Sequence, residues 1–228
     1  MPTYSAPLRD MRFVLFEVFG AEALWARLPA TAEVNRELAD AVLEESAKMA
    51  GELIAPLNSS GDEEGVHWHD GDVTTPAGFK AAFKTYGEGG WMGLSGNPAY
   101  GGQGMPKLLS LMCEEMLSAA NVAFALYPGL SIGASLSIDA HASDAQKALY
   151  LPKLYSGEWA GVMCLTEAHA GSDLGIIRTR AEPQADGSYR ISGTKIFITG
   201  GEQDLTPNIA YLVLAKLPDA PAGSKGIS

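Results

Sequence analysis

Residues 165–174 read Leu-Thr-Glu-Ala-His-Ala-Gly-Ser-Asp-Leu, the stretch of this chain with the densest chemistry. They follow an apolar run, residues 160–165, that reads as a buried strand. A loop of this kind can offer successive N–H groups and hydroxyls to a diphosphate or to the polar edge of a ring. The same residues also suit a plain strand–loop–strand turn capped by Ser172 and Asp173. On residue chemistry alone the two readings weigh equally. Glu167 and Asp173 are a second possibility, as paired carboxylates for acid–base work. Chain order does not set them around a substrate, and loop capping and surface charge account for them better.

Two further motifs carry chemistry. Gly129-Leu130-Ser131-Ile132-Gly133 matches the G-x-S-x-G nucleophile elbow, which needs a strand before the serine, a helix after it, and a downstream acid and histidine. Pro128 stands where that strand should end, and His141 and His169 are the only downstream histidines. Helix packing through small residues is the better account, and a serine hydrolase on Ser131 is kept as the alternative. His67-Trp68-His69 lies among Asp62, Glu63, Glu64 and Asp70 in a polar stretch, with no cysteine or further histidine nearby, so no metal site is expected. No G-x-G-x-x-G follows a strand, no Gly-Lys-Ser/Thr closes a glycine loop, and no His-Glu-x-x-His occurs.

The elements that must hold these residues change type along the chain. Leu8, Met11, Leu15, Val18 and Phe19 recur at helical spacing, and Gly20 closes that stretch. Thr31 is the candidate N-cap of a second helix, with Val34, Leu38, Val42, Met49 and Leu53 on its stripe and Pro56 at its end. Residues 58–75 read as a loop. Pro76 then opens a helix with Phe79, Phe83 and Tyr86 on one face and Gly87 at its end. Pro106 starts another, with Leu109, Met112 and Met116 inward. Residues 116–138 hold no charge. That is long enough to span a bilayer, but Tyr127-Pro128-Gly129 reads as a break, so two short buried helices are expected and no membrane. Ser143 and Gln146 fit a capping box for a helix over 144–150. Strands follow at 160–165, 209–216 and 195–199. Residues 176–182 and 189–194 pair around the turn Asp186-Gly187. Helices before strands predict α+β, with a boundary near Gly157.

Composition limits the partners. The chain has 228 residues, 16 Lys+Arg against 27 Asp+Glu, and a net charge of -11. Such acidity argues against a nucleic-acid backbone or an anionic membrane. It leaves room for an anionic ligand held by backbone N–H groups. Cys113 and Cys164 sit in apolar surroundings and read as packing thiols in a reducing, cytoplasmic setting. The N-terminus lacks the basic-then-apolar pattern of a secretory signal, and its mixed charges do not suit a mitochondrial presequence.

The order of short motifs is more specific than any one of them. Trp91-Met92-Gly93-Leu94 leads to Tyr100-Gly101-Gly102-Gln103-Gly104. Residues 150–159 follow, Tyr-Leu-Pro-Lys-Leu-Tyr-Ser-Gly-Glu-Trp. Then come Leu165-Thr166-Glu167, Ala170-Gly171-Ser172-Asp173, and Gly193-Thr194-Lys195-Ile196-Phe197-Ile198-Thr199-Gly200-Gly201. This series resembles the acyl-CoA dehydrogenase family in order and approximate spacing, over residues 91–228. Residues 2–20 resemble the N-terminal extension of a longer bacterial branch, which includes enzymes acting on 3-methylmercaptopropionyl-CoA.

The resemblance implies a fold and an activity. The extension and first helices would take residues 1–60, the helical domain 61–157, and an antiparallel β-barrel-like or sandwich middle domain 158–228. In the family a C-terminal helical bundle follows. It supplies the catalytic Glu, contacts to the FAD adenine and most of the dimer interface, and it is absent from this chain. The implied chemistry is FAD-dependent α,β-dehydrogenation of an acyl-CoA thioester, with the hydride passing to flavin N5. The catalytic base would lie outside these residues, and a non-catalytic flavin- or acyl-CoA-binding fragment is a further alternative. An electron-transfer flavoprotein would be the acceptor, and the full-length protein a homodimer or tetramer.

Family roles map onto matching positions. Thr166, with the backbone of Met163, Cys164 and Leu165, would bind the pyrimidine edge of the flavin. Gly171 and Ser172 would approach the pyrophosphate, and Ser172 would also touch the CoA portion of the substrate. Phe197 takes the place of a Trp packed on the flavin face, followed by Ile198 and Thr199 near N5 and O4. The uncharged 116–138 segment would line part of the acyl cavity. One departure stands in the loop itself: Ala168 and then His169 follow Thr-Glu, where the family has Pro.

Overall fold

The computed structural model describes residues 4–228. Residues 1–3 of the expected extension lie outside the described residues. Helix α1 (Leu8–Arg12) passes into a π-helical stretch, Phe13–Val18, and Gly20 at φ 55 turns the chain into α2 (Ala21–Trp25). Met11 and Leu15 are buried, whereas Val18 and Phe19 are exposed. Arg12 ties this segment to the next helix, its Nε donating to Asp40 at 3.0 Å.

Helix α3 (Arg36–Lys48) starts later than the expected Thr31 cap. Asn35 caps it, its side-chain oxygen accepting from Leu38 N at 2.9 Å, while the Thr31 hydroxyl donates to Trp25 O. The fully buried stripe is offset by one residue from the expected one: Ala39, Leu43, Ala50 and Ile54 are buried, while Val34 is buried as expected and Val42, Met49 and Leu53 pack partly against the same core. The offset is already present at Leu38, which is exposed beside a fully buried Ala39, ahead of the π-helical stretch Met49–Ile54. Pro56 opens α4 (Pro56–Glu64) at its first position and does not end the element before it. The first seven residues of the expected 58–75 loop are therefore helical. The rest is a hairpin of β1 (His67–His69) and β2 (Asp72–Thr74), with both histidines exposed.

Helix α5 (Phe79–Glu88) buries Phe79, Phe83 and Tyr86, as its apolar spacing predicts. Helix α6 (Lys107–Ala120) and α7 (Val122–His141) follow. The break in the uncharged segment falls at Asn121, not at Tyr127-Pro128-Gly129. Asn121 adopts an extended φ of -162 and its side-chain oxygen accepts from Phe124 N at 3.0 Å, a local bond that favours a new helix start. Pro128 lies buried inside α7. The serines of α7 are compatible with an apolar surrounding because they bond the helix itself: Ser131 donates to Tyr127 O and Ser135 to Ser131 O. By length and composition α7 is apolar enough to cross a membrane, and here it packs against α6 and α8 (Asp144–Tyr155). The capping box of α8 is present, with Ser143 and Gln146 reciprocally bonded, and the helix runs on through Pro152 to Tyr155.

The strands are β3 (Ala160–Cys164), β4 (Arg180–Pro183), β5 (Tyr189–Ser192) and β6 (Ile209–Val213). β4 and β5 form the expected hairpin around Asp186-Gly187, with Pro183 opposite Tyr189. The pair β3–β6 is parallel, with Val162 opposite Tyr211. A parallel pair needs a long crossover, and residues 165–208 supply it. Among the described residues the sheets are three separate pairs, so the expected antiparallel barrel or sandwich is not closed. The α+β class holds. Residues 195–199 are not a strand: Phe197 at φ 56 interrupts any extended run.

One core serves the helical part. Leu15, Trp25, Leu43, Ile54, Phe83, Leu109, Met116 and Phe124 are buried together. Phe124 meets Phe79 and Tyr86 edge-on, with ring centroids 5.6 and 6.4 Å apart. Leu205, from the crossover, joins this core, and Asp204 beside it accepts from the backbone N–H and hydroxyl of Thr75 at 2.9 and 2.8 Å.

Candidate functional site

The end of β3 carries the chain out of the core and into the loop that the sequence singles out. Met163 is 37% exposed, Cys164 is buried, and Leu165 and Thr166 are half-buried. The loop then folds back on itself: Glu167 N donates to Ala170 O at 2.8 Å and Ala170 N to Glu167 O at 3.0 Å. Gly171 lies beside Thr166, since a Cβ on it would sit 3.6 Å from Thr166 Cγ2. Gly171 and Ser172 are exposed, and Asp173 caps the following turn by accepting from Gly175 N.

The second candidate segment meets the first. Ile196 N donates to Thr166 O at 2.9 Å, and Lys195 Nζ donates to Leu165 O at 3.0 Å. Phe197 follows at once, 88% exposed and held in the left-handed region at φ 56. A non-glycine residue rarely adopts that conformation. Ile198 is half-buried and Thr199 exposed, and a turn closes behind them with Gly201 N on Ile198 O. Gly200 sits against Tyr127 of α7 and Val162 of β3. The two segments are therefore joined at Thr166 and Ile196, with Gly171 beside Thr166 and Gly200 against α7.

Glu167 is the residue that sequence reasoning misplaced. It is only 5% exposed, so surface charge is not its role. Its Oε1 accepts from Thr179 N, Thr179 Oγ1 and Lys195 Nζ at 2.9, 2.6 and 3.1 Å, and Oε2 accepts from Arg178 N at 2.7 Å. Burial pushes the carboxyl pKa up, but the Thr179 hydroxyl, the two backbone N–H groups and Lys195 outweigh it and bring it down to about 2. The thiols go the other way. Burial raises Cys113 to about 11 and also raises Cys164, the latter opposed by Lys195. Both are poor nucleophiles.

The remaining candidates separate from this surface. Ser131 is 1% exposed, in mid-helix, and accepts from Gly161 N at 3.0 Å while donating to Tyr127 O. It stands on no strand-to-helix turn. His67 pairs with Glu64 at 3.3 Å, and among the described residues no group of three metal-ligating side chains is gathered. A cavity of about 630 Å³ opens between α4 and the start of α7, lined by Phe79, Val122, Ala123 and Tyr127, with Asp62 and Glu63 also in its wall. Its acidic side does not suit the anionic end of a CoA ester.

A family model described as the N-terminal domain of acyl-CoA dehydrogenases matches residues 36–158. The chain belongs to the acyl-CoA dehydrogenase family. Across 99% of its length it is 45% identical to the 3-methylmercaptopropionyl-CoA dehydrogenase of Ruegeria pomeroyi, and it covers 38% of that protein. A butyryl-CoA dehydrogenase of Syntrophomonas wolfei is 36% identical over 99% of the chain, which covers 37% of it. The chain thus spans a little over a third of these curated relatives. The butyryl-CoA dehydrogenase structure of Megasphaera elsdenii aligns at TM-score 0.70 and 25% identity, over 85% of this chain and 48% of that one. An acyl-CoA dehydrogenase from Bacillus anthracis, solved with FAD, aligns at TM-score 0.66 and 27% identity, over 82% and 30% of the two chains. As a member of the acyl-CoA dehydrogenases, this chain carries its loop motif at the end of β3, where α7 backs it.

Proposed function

We propose that this chain is the N-terminal and middle-domain portion of an FAD-dependent acyl-CoA dehydrogenase and forms much of its flavin cradle. The observation that carries the reading is the bond from Ile196 N to Thr166 O, which brings the two motif segments into one surface. The residues fit the group. Thr166 offers a half-buried hydroxyl, Gly171 an exposed backbone close beside it, and Phe197 an exposed ring in a strained conformation. Polar edge, backbone approach and apolar face are what a planar, phosphate-bearing ring system needs.

When bound, FAD supplies the hydride acceptor for α,β-dehydrogenation of the acyl-CoA thioester. The Thr166 hydroxyl and the backbone of Met163, Cys164 and Leu165 orient the pyrimidine edge. Gly171 and Ser172 face the pyrophosphate, and Ser172 also faces the CoA portion. Phe197 excludes water from one face, with Ile198 and Thr199 at the reacting edge. No residue of this chain is assigned as the base that removes the α-proton. An electron-transfer flavoprotein is the proposed acceptor, with a homodimer or tetramer as the full-length assembly and the cytoplasm as its location. The division into residues 1–60, 61–157 and 158–228 belongs to the same proposal.

Titration of the chain with FAD tests this directly. A saturable change in the visible flavin band is expected, and Thr166→Val should weaken binding by about 1–2 kcal/mol for one lost buried bond. Equal affinity in Thr166→Val counts against its role. Turnover of an acyl-CoA with an artificial acceptor by these 228 residues alone contradicts the missing base. The hydrolase reading gains nothing from the helical setting of Ser131. Ser131→Ala should leave flavin binding unchanged while costing about 1–2 kcal/mol of stability, because Gly161 N–H loses its acceptor. Labelling of Ser131 by an active-serine reagent, with no flavin bound, overturns the choice of class.

A further inference from the structure

We infer that Glu167, cross-linked to Lys195, is a positioning residue that sets the spacing between the two flavin-facing segments. The inference rests on the proposed flavin cradle and assigns a duty within it to a residue that does not face the cofactor. Three stretches of chain meet at this one carboxylate. Its own loop carries Thr166, residues 178–179 lead into β4, and Lys195 leads into Phe197. Lys195 is 9% exposed at its side chain and also holds Leu165 O, so it grips the loop on both sides of Thr166. Residues 195–199 have no strand ladder of their own. Their distance from Thr166 rests on the Lys195 bonds and on Ile196 N to Thr166 O.

Two local features make the clamp necessary. Ala168 follows Thr166-Glu167, so no proline ring presets the backbone there and hydrogen bonds must do so. Gly193 lies so close to Thr179 that a Cβ would fall 2.2 Å from its hydroxyl oxygen, and this approach lets the 193–199 segment run over the residue that donates twice to Glu167. His169 closes the outer side, with Nε2 donating to Ile176 O at 3.1 Å and lying 3.5 Å from Glu167 Oε2. A contacting group works only when a supporting shell fixes it to within a fraction of an ångström, and here that shell is one buried ion pair with its hydrogen bonds.

The test uses Glu167→Gln, Lys195→Met and the double variant in the whole chain. Lys195→Met leaves Glu167 bonded to residues 178–179, so it breaks the cross-link with the least risk to folding. Amide exchange in the FAD-free chain is expected to rise at residues 165–170 and 195–199 in each variant and to stay unchanged across β3 and β6. FAD affinity should fall about tenfold or more in each single variant. The potential of the bound flavin should also shift, and the double variant should be little worse than either single one, as for residues acting as a unit. Faster exchange with unchanged affinity and potential makes the pair a structural bond only and overturns the inference. Unchanged exchange in Lys195→Met overturns it as well. If the wild-type chain takes up no FAD, the flavin-cradle reading fails first, and that result is distinct from a wild type and variants that bind FAD equally.

Discussion

Lowering the pH from about 7 to about 3 is expected to remove about 2 kcal/mol of stability through Glu167 alone. Its carboxyl titrates near 2 in the folded chain against an ordinary value of 4.5. A carboxylate depressed by folding contributes stability that is fully present above its unfolded value. That stability is lost as pH falls from about 5 toward about 2, because the unfolded chain binds the proton first. The cause is local: four donors converge on a group shielded from water, and a proton on it displaces at least the Lys195 pairing. Asp204 shifts in the same direction, since the Thr75 N–H and hydroxyl outweigh its burial. The readout is therefore a difference. Urea unfolding of wild type and Glu167→Gln at about pH 7, 5 and 3 cancels Asp204 and the other carboxylates. The gap between the two proteins should be widest at pH 7 and should narrow toward pH 3. A gap that stays constant across this range places the stabilisation elsewhere.

Glu167 also shows where reading a sequence loses its grip. Its neighbours Thr166, Ala168 and His169 give no sign of burial, and its partners Thr179 and Lys195 are distant in the chain. Burial of a charge is legible only when both sides of the pair are known to meet. The signals that read true are local. Ser143 and Gln146 are three residues apart and bond each other, and Asp186-Gly187 makes its turn from its own backbone preference. Phe79, Phe83 and Tyr86 share a face because α5 is regular, whereas in α3 the small Ala39 takes the fully buried place beside a more exposed Leu38, which counting large apolar residues does not show. The uncharged run of 116–138 shows a third case. Pro128 looks like a break, and its burial inside a packed helix overrides that preference, while the extended Asn121 makes the actual break. The candidate surface was legible as motif order. Its assembly was not, because it depends on the parallel β3–β6 pair and a crossover that alternation of residue types does not reveal.

That crossover gives Gly161 a larger role than its size suggests. Gly161→Val is expected to destabilise the chain by more than about 3 kcal/mol. The position lies in β3 where the strand presses on α7 and α8. Even a Cβ would fall 2.6 Å from Ala134 Cβ and 3.4 Å from both Ser131 Cα and Leu154 Cδ2. Valine adds two methyl groups to that Cβ, and a close-packed interior gives way only by moving backbone. The strand would have to retreat from α7, breaking Gly161 N to Ser131 Oγ and leaving that N–H without its acceptor. β3 runs directly into Leu165 and Thr166, so the same retreat carries the candidate surface away from Tyr127 and Gly200. Stability and FAD affinity should therefore fall together in Gly161→Val. Gly171→Ala is the matched control, because its Cβ meets only Thr166 Cγ2 at 3.6 Å, an ordinary contact. It should melt within a few degrees of wild type, roughly. If Gly161→Val also melts there, the contact between α7 and β3 does not hold the strand, and the loop at its end owes its position to the Glu167 clamp and to Ile196 N on Thr166 O.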